Sequence, residues 1–285
     1  MTNHMLIFGM GYSAGHLAAI LGARGWRVTG TRRAADDHNI AFEDRAAVIA
    51  ALNSASHILS SVPPERGGGD AVLDQYGDAI RTAPARWTGY LSSTGVYGDT
   101  AGAWVDETAA LTGRRPQRNA ADWAWQSLRP DMRVFRLPGI YGPGRSALER
   151  VARGNAHRIN LPDQSFSRVH VEDIAGGIIA SFDGPPGVYN LADDLPCSQN
   201  RVIEAACDLL GMAYPPMLPL EAADLSPMAR SFYAENRRIS NGKARRLLGW
   251  RPQYADYRAG LAACMAMNMP AITNAAPPAA SKDQT

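Results

Sequence analysis

The sequence predicts an α/β fold with a doubly wound parallel sheet and a small C-terminal lobe. Short apolar runs alternate with helical patterns along most of the 285-residue chain, which is typical of a parallel sheet flanked by helices. The first apolar run, Met5–Phe8, stops at a glycine, and a helical pattern follows at once. Apolar residues make up 46% of the sequence, so the chain can bury a substantial core.

The individual elements follow from the same patterns. The first helix places Leu17, Ile20 and Leu21 at the i, i+3, i+4 spacing of one helix face, and Gly25 lies near its end. Further strands are predicted at Trp26–Gly30, His57–Ser60, Trp87–Ser93, Met132–Leu137, Ser167–His170 and Val188–Leu191. Further helices are predicted at Asp70–Thr82, Asn119–Leu128, Val171–Phe182, Gln199–Leu210, Asn241–Leu248 and Asp256–Met267.

The sequence GMGYSA after the first strand fits the pattern G-x-G-x-x-G/A. In such a turn Gly9 permits the tight bend, Gly11 lets the backbone approach a pyrophosphate, and Ala14 keeps the helix close to the strand. The helix N-terminus offers free N–H groups to the phosphate charge. The sequence therefore predicts a Rossmann dinucleotide site, with Tyr12 and Ser13 also beside the cofactor.

The end of the second strand bears on which dinucleotide binds. In NAD-binding versions of this fold, an acidic residue about 20 positions after the glycine turn binds the ribose 2′-hydroxyl. Thr31 holds that place here and is followed by Arg32 and Arg33, whose planar guanidinium groups can clamp a 2′-phosphate. The alternative is two solvated loop arginines, and Asp36 and Asp37 weaken the pattern. The sequence favours NADP over NAD.

More strand ends are expected to line the cofactor channel, because doubly wound folds bind ligands at the carboxyl edge of the sheet. Ser61, Val62 and Pro63 follow one buried strand and are expected beside the adenosine and ribose. Ser92 lies at the end of another strand and is also expected to contact the cofactor. Pro138 follows a third strand and is expected to border the nicotinamide.

These assignments predict two structural units. Residues 1–158 form the NAD(P)-binding Rossmann domain, to which residues 171–191 return, and residues 192–269 form a smaller substrate-binding lobe. The segment 270–285 consists mainly of alanine, proline and polar residues and is expected to be disordered, because it offers little apolar surface to bury.

Charge and cysteine content exclude several classes of protein. The net charge is +2 and the 29 basic residues are scattered, so no nucleic-acid partner is expected. No apolar segment is long enough to span a bilayer and no signal peptide precedes the first strand, so we expect a cytoplasmic protein without a membrane partner. The three distant cysteines predict reduced thiols and neither a disulfide framework nor a metal site: Cys197, Cys207 and Cys264.

Three later segments add a family resemblance. Ser92–Gly98 (SSTGVYG), Arg136–Gly144 (RLPGIYGPG) and Arg168–Ile174 (RVHVEDI) occur in that order after the glycine turn. Together they resemble the corresponding segments of extended short-chain dehydrogenases/reductases. The resemblance covers roughly residues 5–195 and implies the NAD(P)-dependent epimerase/dehydratase architecture, a Rossmann domain with a small substrate lobe and a small-molecule substrate.

The same resemblance implies a possible homodimer. Family relatives often pair through the helices that correspond to residues 70–82 and 119–128. Trp123 and Trp125 lie on the second of these helices and could be buried in such an interface. An intramolecular core would explain the two tryptophans as well.

The catalytic pair of that family is absent. In the family a Ser/Thr acts with a Tyr and a Lys spaced Y-x-x-x-K on one helix face, where the lysine lowers the pKa of the tyrosine so that the phenol can act as general acid/base. Alignment places Gln117 at the tyrosine position and Ala121 at the lysine position. The only lysines are Lys243 and Lys282, far downstream, and no tyrosine lies between residues 97 and 141.

Two residues near the missing pair are predicted to be catalytic. Ser93 matches the family's Ser/Thr position, and Tyr97 is the nearest phenol in sequence. The alternatives are a strand-end serine that satisfies the backbone and a half-buried aromatic that packs a loop. Dehydratase relatives carry an Asp-Glu pair directly after the catalytic Ser/Thr, whereas this chain has Thr94 and Gly95, which argues against sugar dehydration.

The substrate is expected to contact Thr94, Tyr141 and Arg168. Arg168 is the best substrate-side anion ligand by resemblance, because the aligned arginine in the family contacts a nucleotide or phosphate. Three more arginines crowd the stretch where the pair is missing: Arg114, Arg115 and Arg118. They either bind an anionic substrate, replace the lysine electrostatically, or form a solvated loop. Arginine does not itself shuttle protons.

Two functions are compatible with these patterns. The first is an NADP-dependent oxidoreductase or epimerase that acts on a small polar or nucleotide-linked carbonyl or alcohol with a non-standard acid/base set. The second is a non-catalytic NADP-binding sensor or scaffold. Ser93 and the segment Arg136–Gly144 favour the enzyme, whereas the absence of lysine from the Rossmann portion favours the sensor.

Overall fold

The computed structural model describes residues 3–65 and 67–268. The strands within these ranges are β1 His4–Phe8, β2 Arg27–Arg32, β3 Asn39–Ala41, β4 His57–Ser60, β5 Trp87–Ser93, β6 Trp104–Val105, β7 Met132–Leu137, β8 Gly139–Tyr141, β9 Arg158–Ile159, β10 Arg168–His170, β11 Gly187–Asn190, β12 Met217–Leu218 and β13 Arg238–Ile239. Seven of them form one parallel sheet in the order β11-β7-β5-β4-β1-β2-β3. The fold is therefore a Rossmann-like doubly wound sheet, as the sequence predicts.

Helices cover both faces of this sheet. They are α1 Tyr12–Ala23, α2 Arg45–Ser54, α3 Ala71–Thr82, α4 Pro116–Leu128, α5 Ala147–Ala152, α6 Val171–Ala180, α7 Gln199–Leu210, α8 Pro227–Phe232, α9 Gly242–Leu248 and α10 Tyr257–Asn268. Successive residues of β1 point to opposite faces. Met5 and Ile7 pack in one core cluster with α1 and α6, whereas Leu6 and Phe8 pack in the other with α2, α3 and α4.

Two helices within the predicted smaller unit, α7 and α10, pack around an apolar core that is separate from the two sheet clusters. Val202, Ala206 and Cys207 of α7 contact Leu261 and Cys264 of α10 in a separate apolar cluster, which α5 completes. Three further pairs of short strands form two-stranded parallel sheets: β8 with β10, β9 with β12 and β6 with β13. The three cysteines are free and buried.

The predicted strands and helices are present, with small differences at their ends. The second strand extends to Arg32, and α4 begins at Pro116 instead of Asn119. The sequence patterns do not indicate β3, α2, α5 and α8, nor the short strands β6, β8, β9, β12 and β13. Alanine-rich α2 carries few large apolar residues, although Asp44 accepts a hydrogen bond from the Ala47 N–H as its N-cap. The predicted disordered tail 270–285 lies outside the described residues.

The strand order fixes where a ligand can bind. From β1 the chain runs outward to β2 and β3, and then returns to place β4, β5, β7 and β11 on the other side. The crevice between β1 and β4 is therefore the topological switch point, where open α/β sheets bind ligands beyond the carboxyl ends of their strands. Gly9 and Ser61 directly follow these two strands.

Candidate functional site

The glycine turn has the geometry that the sequence predicts. Gly9 has φ +83°, and a Cβ there would lie 2.7 Å from Cγ2 of Val62, so only glycine fits without strain. Gly11 is the exposed N-cap of α1, and a Cβ at Gly11 would meet nothing within 4 Å. The first turn of α1 carries no acidic residue and no side-chain cap, which leaves its N–H groups open to an anion.

Two neighbouring strands hold this turn in place. The hydroxyl of Thr31 on β2 accepts a hydrogen bond from the Gly9 N–H at 3.1 Å, and the hydroxyl of Ser61 after β4 donates to the Gly9 carbonyl. Thr31 is buried, whereas Ser61 and Val62 are half-buried. The structure therefore gives Thr31 a role in shaping the turn that the sequence prediction did not include. Its predicted contact with the cofactor stays a prediction.

The rest of the turn connects to the loop after β8. Tyr12 donates its hydroxyl proton to the Pro143 carbonyl at 2.9 Å, and the Arg145 guanidinium lies 5.5 Å from its ring centroid. Burial, followed by the nearby Cys264, raises the pKa of Tyr12 to about 12, so the phenol stays protonated. Ala14 is buried against the sheet, and Ser13 is half-buried beside the open helix end.

The predicted 2′-phosphate ligands lie at the carboxyl end of β2. Arg32 lies 3.6 Å from the carboxylate of Asp36, and both side chains are about half exposed. Arg33 is exposed and forms no ion pair within the described part of the chain. Pro63, predicted to line the cofactor channel, is exposed beyond β4.

A buried ion pair links α4 to β7. Asp122 is fully buried and accepts from Nη2 and Nε of Arg136 at 2.8 and 3.1 Å. Ser92 donates its hydroxyl proton to the same carboxylate at 2.5 Å. Burial alone would lower the pKa of Arg136, but the hydrogen bond and charge of Asp122 outweigh it and raise that pKa.

This network also includes Tyr97. Its hydroxyl donates to Oδ1 of Asn190 at 2.7 Å and accepts from Nη1 of Arg136 at 3.0 Å. Tyr97 is buried, and this burial raises its pKa to about 12 despite the Arg136 charge. The structure therefore does not support proton transfer by Tyr97, nor a cofactor contact by the Ser92 hydroxyl, because both groups are committed to interior partners.

Ser93 is placed differently from its two neighbours. It is half-buried at the end of β5, and its Oγ accepts from the Gly95 N–H at 3.1 Å as the cap of a short 3₁₀ helix, Thr94–Tyr97. A hydroxyl can donate while it accepts, so its proton remains available to a ligand. Thr94 is buried, which does not support its predicted contact with substrate.

Helix α4 contains neither tyrosine nor lysine. Gln117, aligned with the family's tyrosine, lines a pocket of about 400 Å³ together with Arg115, Arg118 and residues of the loop after β4. Ala121, aligned with the lysine, is buried. The position of the missing pair is therefore next to a cavity at the carboxyl edge of the sheet.

The remaining predicted substrate residues lie mostly in the interior. Tyr141 is buried and its hydroxyl lies 3.5 Å from the Asp256 carbonyl, and burial raises its pKa. Arg168 is buried and donates to the carbonyls of Phe166 and Cys197 at 2.8 and 3.2 Å. These contacts hold β10 to the small lobe and leave little of Arg168 for an anionic substrate. Pro138 is half-buried at the end of β7.

The two tryptophans of α4 have different surroundings. Trp125 is buried, stacks on Tyr90 at 5.0 Å and donates from its ring nitrogen to Asp70, so it belongs to the intramolecular core. Trp123 is 66% exposed. A homodimer stays a prediction, with Trp123 as the exposed aromatic of the expected interface.

Comparison with solved structures places this chain in a family. The structure of a functionally unknown conserved protein from Silicibacter pomeroyi is 44% identical in sequence, superposes with a TM-score of 0.86, and matches 93% of this chain and 99% of that one. The chain belongs to the family of that protein. Its fold is that of the NAD(P)-dependent epimerase/dehydratase proteins of the extended short-chain dehydrogenase/reductase class.

More distant matches agree with this fold. Protein YeeZ of Escherichia coli K12 is 29% identical over 243 residues, which cover 73% of this chain and 84% of YeeZ. The human epimerase family protein SDR39U1 (isoform 2), solved with NADPH, is 17% identical over 93% of this chain and 100% of its own, with a TM-score of 0.74. No family model matches the sequence. Among the described helices, none is both long and apolar enough to cross a bilayer.

Proposed function

We propose that this protein binds NADP at the Gly9–Ala14 turn and uses it to oxidise, reduce or epimerise a small polar or nucleotide-linked carbonyl or alcohol. The observation that carries the proposal is the open N-terminus of α1 at the switch point of the sheet. Gly11 leaves room there for a pyrophosphate, and no carboxylate in the first turn opposes it. The NADPH found in the human protein of the same fold supports a nicotinamide cofactor.

The choice of NADP rests on the carboxyl end of β2. No acidic side chain follows that strand directly, and Arg32 and Arg33 supply two partly or fully exposed guanidinium groups instead. Two cations at this place favour a phosphate on the adenosine ribose over a free hydroxyl. The buried thiols are compatible with a reducing compartment, which supports a cytoplasmic location.

Ser93 is the group proposed to contact the reacting oxygen. A nicotinamide cofactor bound at this site would supply or accept the hydride of the reaction. Ser93 donates a hydrogen bond to the substrate oxygen, and solvent delivers or removes the proton because Tyr97 is committed to Arg136 and Asn190.

A specific observation favours the non-catalytic alternative. Helix α4 lacks both members of the family's catalytic pair, and the nearest phenol is buried in a structural network. A protein with this site and without a proton-transfer residue would bind NADP as a sensor or scaffold.

The experiment that separates the two functions combines binding and turnover. Calorimetry measures the affinity for NADPH and NADH, and the absorbance of NADPH is followed with a panel of aldehydes and ketones. We expect turnover with some panel members, and a decrease of about 100-fold in kcat for Ser93→Ala with unchanged NADPH affinity. Ser127→Ala, on an exposed residue near the C-terminal end of α4, serves as the matched control and should leave turnover unchanged. Saturable binding with no turnover on any panel member would contradict the enzymatic proposal.

A further inference from the structure

The pocket beside α4 contains an unusual set of charges. Its volume is about 400 Å³, and it is formed by Pro64 and Glu65 after β4, by the first turn of α4, and by Pro227 at the start of α8. It therefore lies between the sheet domain and the small lobe, where binding pockets are common. Gln117 also lines it, at the position where the family's tyrosine would stand.

Two arginines of this pocket have no counter-ion in the described part of the chain. Arg115 is exposed and Arg118 is half-buried, and neither forms an ion pair within residues 3–65 and 67–268. Burial lowers the pKa of Arg118 and the positive charge of Arg115 lowers it further, although Tyr90 and the charge of Asp122 oppose the shift. Glu65 is the carboxylate that lines the pocket beside them, and it pairs with neither, so the lining stays net positive.

The third arginine of the same segment behaves differently. Arg114 donates from Nε to the carboxylate of Glu235 at 2.6 Å and from Nη2 to the Ser231 carbonyl at 2.6 Å. These bonds connect the loop before α4 to the small lobe. Arg114 is therefore a structural residue, whereas the charges of Arg115 and Arg118 are available to a ligand.

We propose that Arg115 and Arg118 bind the anionic group, a carboxylate or a phosphate, of the substrate whose carbonyl or alcohol carbon reacts with the nicotinamide. The inference deepens the proposed function and rests on it. The pocket extends from the loop that contacts the glycine turn through Val62, so a ligand in it lies on the same edge of the sheet as the cofactor site. Guanidinium groups suit this role because their planar donors match carboxylate and phosphate oxygens. Gln117 can add an amide hydrogen bond to the same anion.

The test uses the full chain saturated with NADPH, so that the phosphate site at α1 is already filled. Sodium phosphate and sodium malonate are the probes, titrated by calorimetry at constant ionic strength. We expect saturable binding of at least one probe, about tenfold weaker in Arg115→Gln and in Arg118→Gln. Arg24→Gln removes an exposed charge at the C-terminal end of α1, away from the pocket; it is the matched control and should bind the probe as the unmodified protein does.

The NADPH affinity of each variant is measured first and should stay unchanged, which also shows that each variant is folded. Absence of NADPH binding to the unmodified protein contradicts the proposed function itself. Normal NADPH binding without saturable binding of either anion overturns only the present inference. Equal losses in all three arginine variants, or no loss in any of them, overturn it as well, because the anion then binds elsewhere.

Discussion

At the scale of the residue, the choice of cofactor depends on two exposed side chains. The ion pair between Arg32 and Asp36 is about half exposed, and such pairs contribute little to stability. Arg33 has no ion pair among the described residues. Because little holds either guanidinium in place, both can turn toward a 2′-phosphate at small energetic cost.

The replacement Arg33→Gln tests this interpretation. We expect the affinity for NADPH to fall about tenfold, because one charge-assisted hydrogen bond to the phosphate is lost, and the affinity for NADH to stay unchanged. Calorimetry with both nucleotides measures the two affinities. Arg27→Gln removes the same charge from the opposite end of β2 and is the matched control. A parallel loss for NADPH and NADH would show that Arg33 does not recognise the 2′-phosphate.

The sequence predicts the glycine turn well because the conformation of the turn depends on residues that are neighbours in the chain. The positive φ of Gly9 and the open space at Gly11 depend on neighbouring backbone and can be read from the motif. The fate of Tyr97 depends instead on Arg136 and Asn190, which lie 39 and 93 residues away in the sequence. A sequence pattern places Tyr97 after β5 but contains no information about these partners. The prediction that Tyr97 is catalytic therefore lacks structural support.

At the scale of the element, the ion pair between Asp122 and Arg136 fixes α4 against the sheet. Asp122 is fully buried on α4 and Arg136 lies on β7, while Ser92 of β5 and Gln126 of α4 also donate hydrogen bonds to the carboxylate. Buried charges are tolerated only when they are paired and hydrogen-bonded. The network therefore positions the end of β5, where Ser93 lies, relative to the first turn of α4 and its arginines.

The replacement Asp122→Ala should destabilise the protein strongly. It leaves the buried guanidinium of Arg136 without a counter-ion, which costs about 3–5 kcal/mol. Denaturant unfolding, followed by circular dichroism, measures the change. Asp78→Ala breaks the exposed pair with Arg81 on α3 and is the control, with little change expected. Similar shifts for the two variants would mean that the buried pair is not a determinant of stability.

The helices and the pocket show the same contrast between features that local sequence predicts and features that depend on distant residues. Helix α7 has the predicted bounds because local residues determine them: its apolar residues follow helical spacing, Ser198 caps its start and Gly211 ends it. Helix α2 was missed because its buried face consists of Val48, Ala51 and Leu52 among other alanines. The pocket beside α4 was not predictable, since Pro64, Pro227 and the arginines meet there only in the folded chain.

At the scale of the whole molecule, Asp193 lies where the chain leaves the sheet for the small lobe. Its N–H donates to the Arg168 carbonyl at 2.7 Å, but neither carboxylate oxygen forms a well-aligned hydrogen bond within the described residues; the nearby Leu195 N–H gives the charged form only partial support. Burial raises the pKa of Asp193 to about 8, although the Arg168 charge opposes the rise; Asp194 and Asp256 add to it. The carboxyl group is therefore protonated at neutral pH in the folded protein.

This shift predicts a pH dependence of stability. Between the unfolded pKa of about 3.9 and the folded pKa of about 8, the unfolded chain loses this proton and the folded protein keeps it, so the contribution of Asp193 to stability falls as pH rises. The amide of Asp193→Asn stays neutral at every pH, so this variant does not lose stability at residue 193 as pH rises. The free energy of unfolding of the variant minus that of the unmodified protein should rise by more than about 1.4 kcal/mol from pH 4.5 to pH 8. Asp183→Asn, on an exposed residue, is the control, and its difference in free energy of unfolding should not change with pH. A difference that also stays constant with pH for Asp193→Asn would show that the Asp193 carboxyl group ionises normally.

We expect a nicotinamide dinucleotide to place its pyrophosphate on the N-terminus of α1, and Gly11→Asp tests this binding mode most directly. The backbone tolerates this change because Gly11 has ordinary φ and open space around a Cβ. The new carboxylate would face the phosphate charge and should weaken NADPH binding about 100-fold in calorimetry, whereas Gly22→Asp, near the other end of α1, should leave it unchanged. Equal NADPH affinity in the Gly11→Asp variant and the unmodified protein, or no binding to either, would contradict the account.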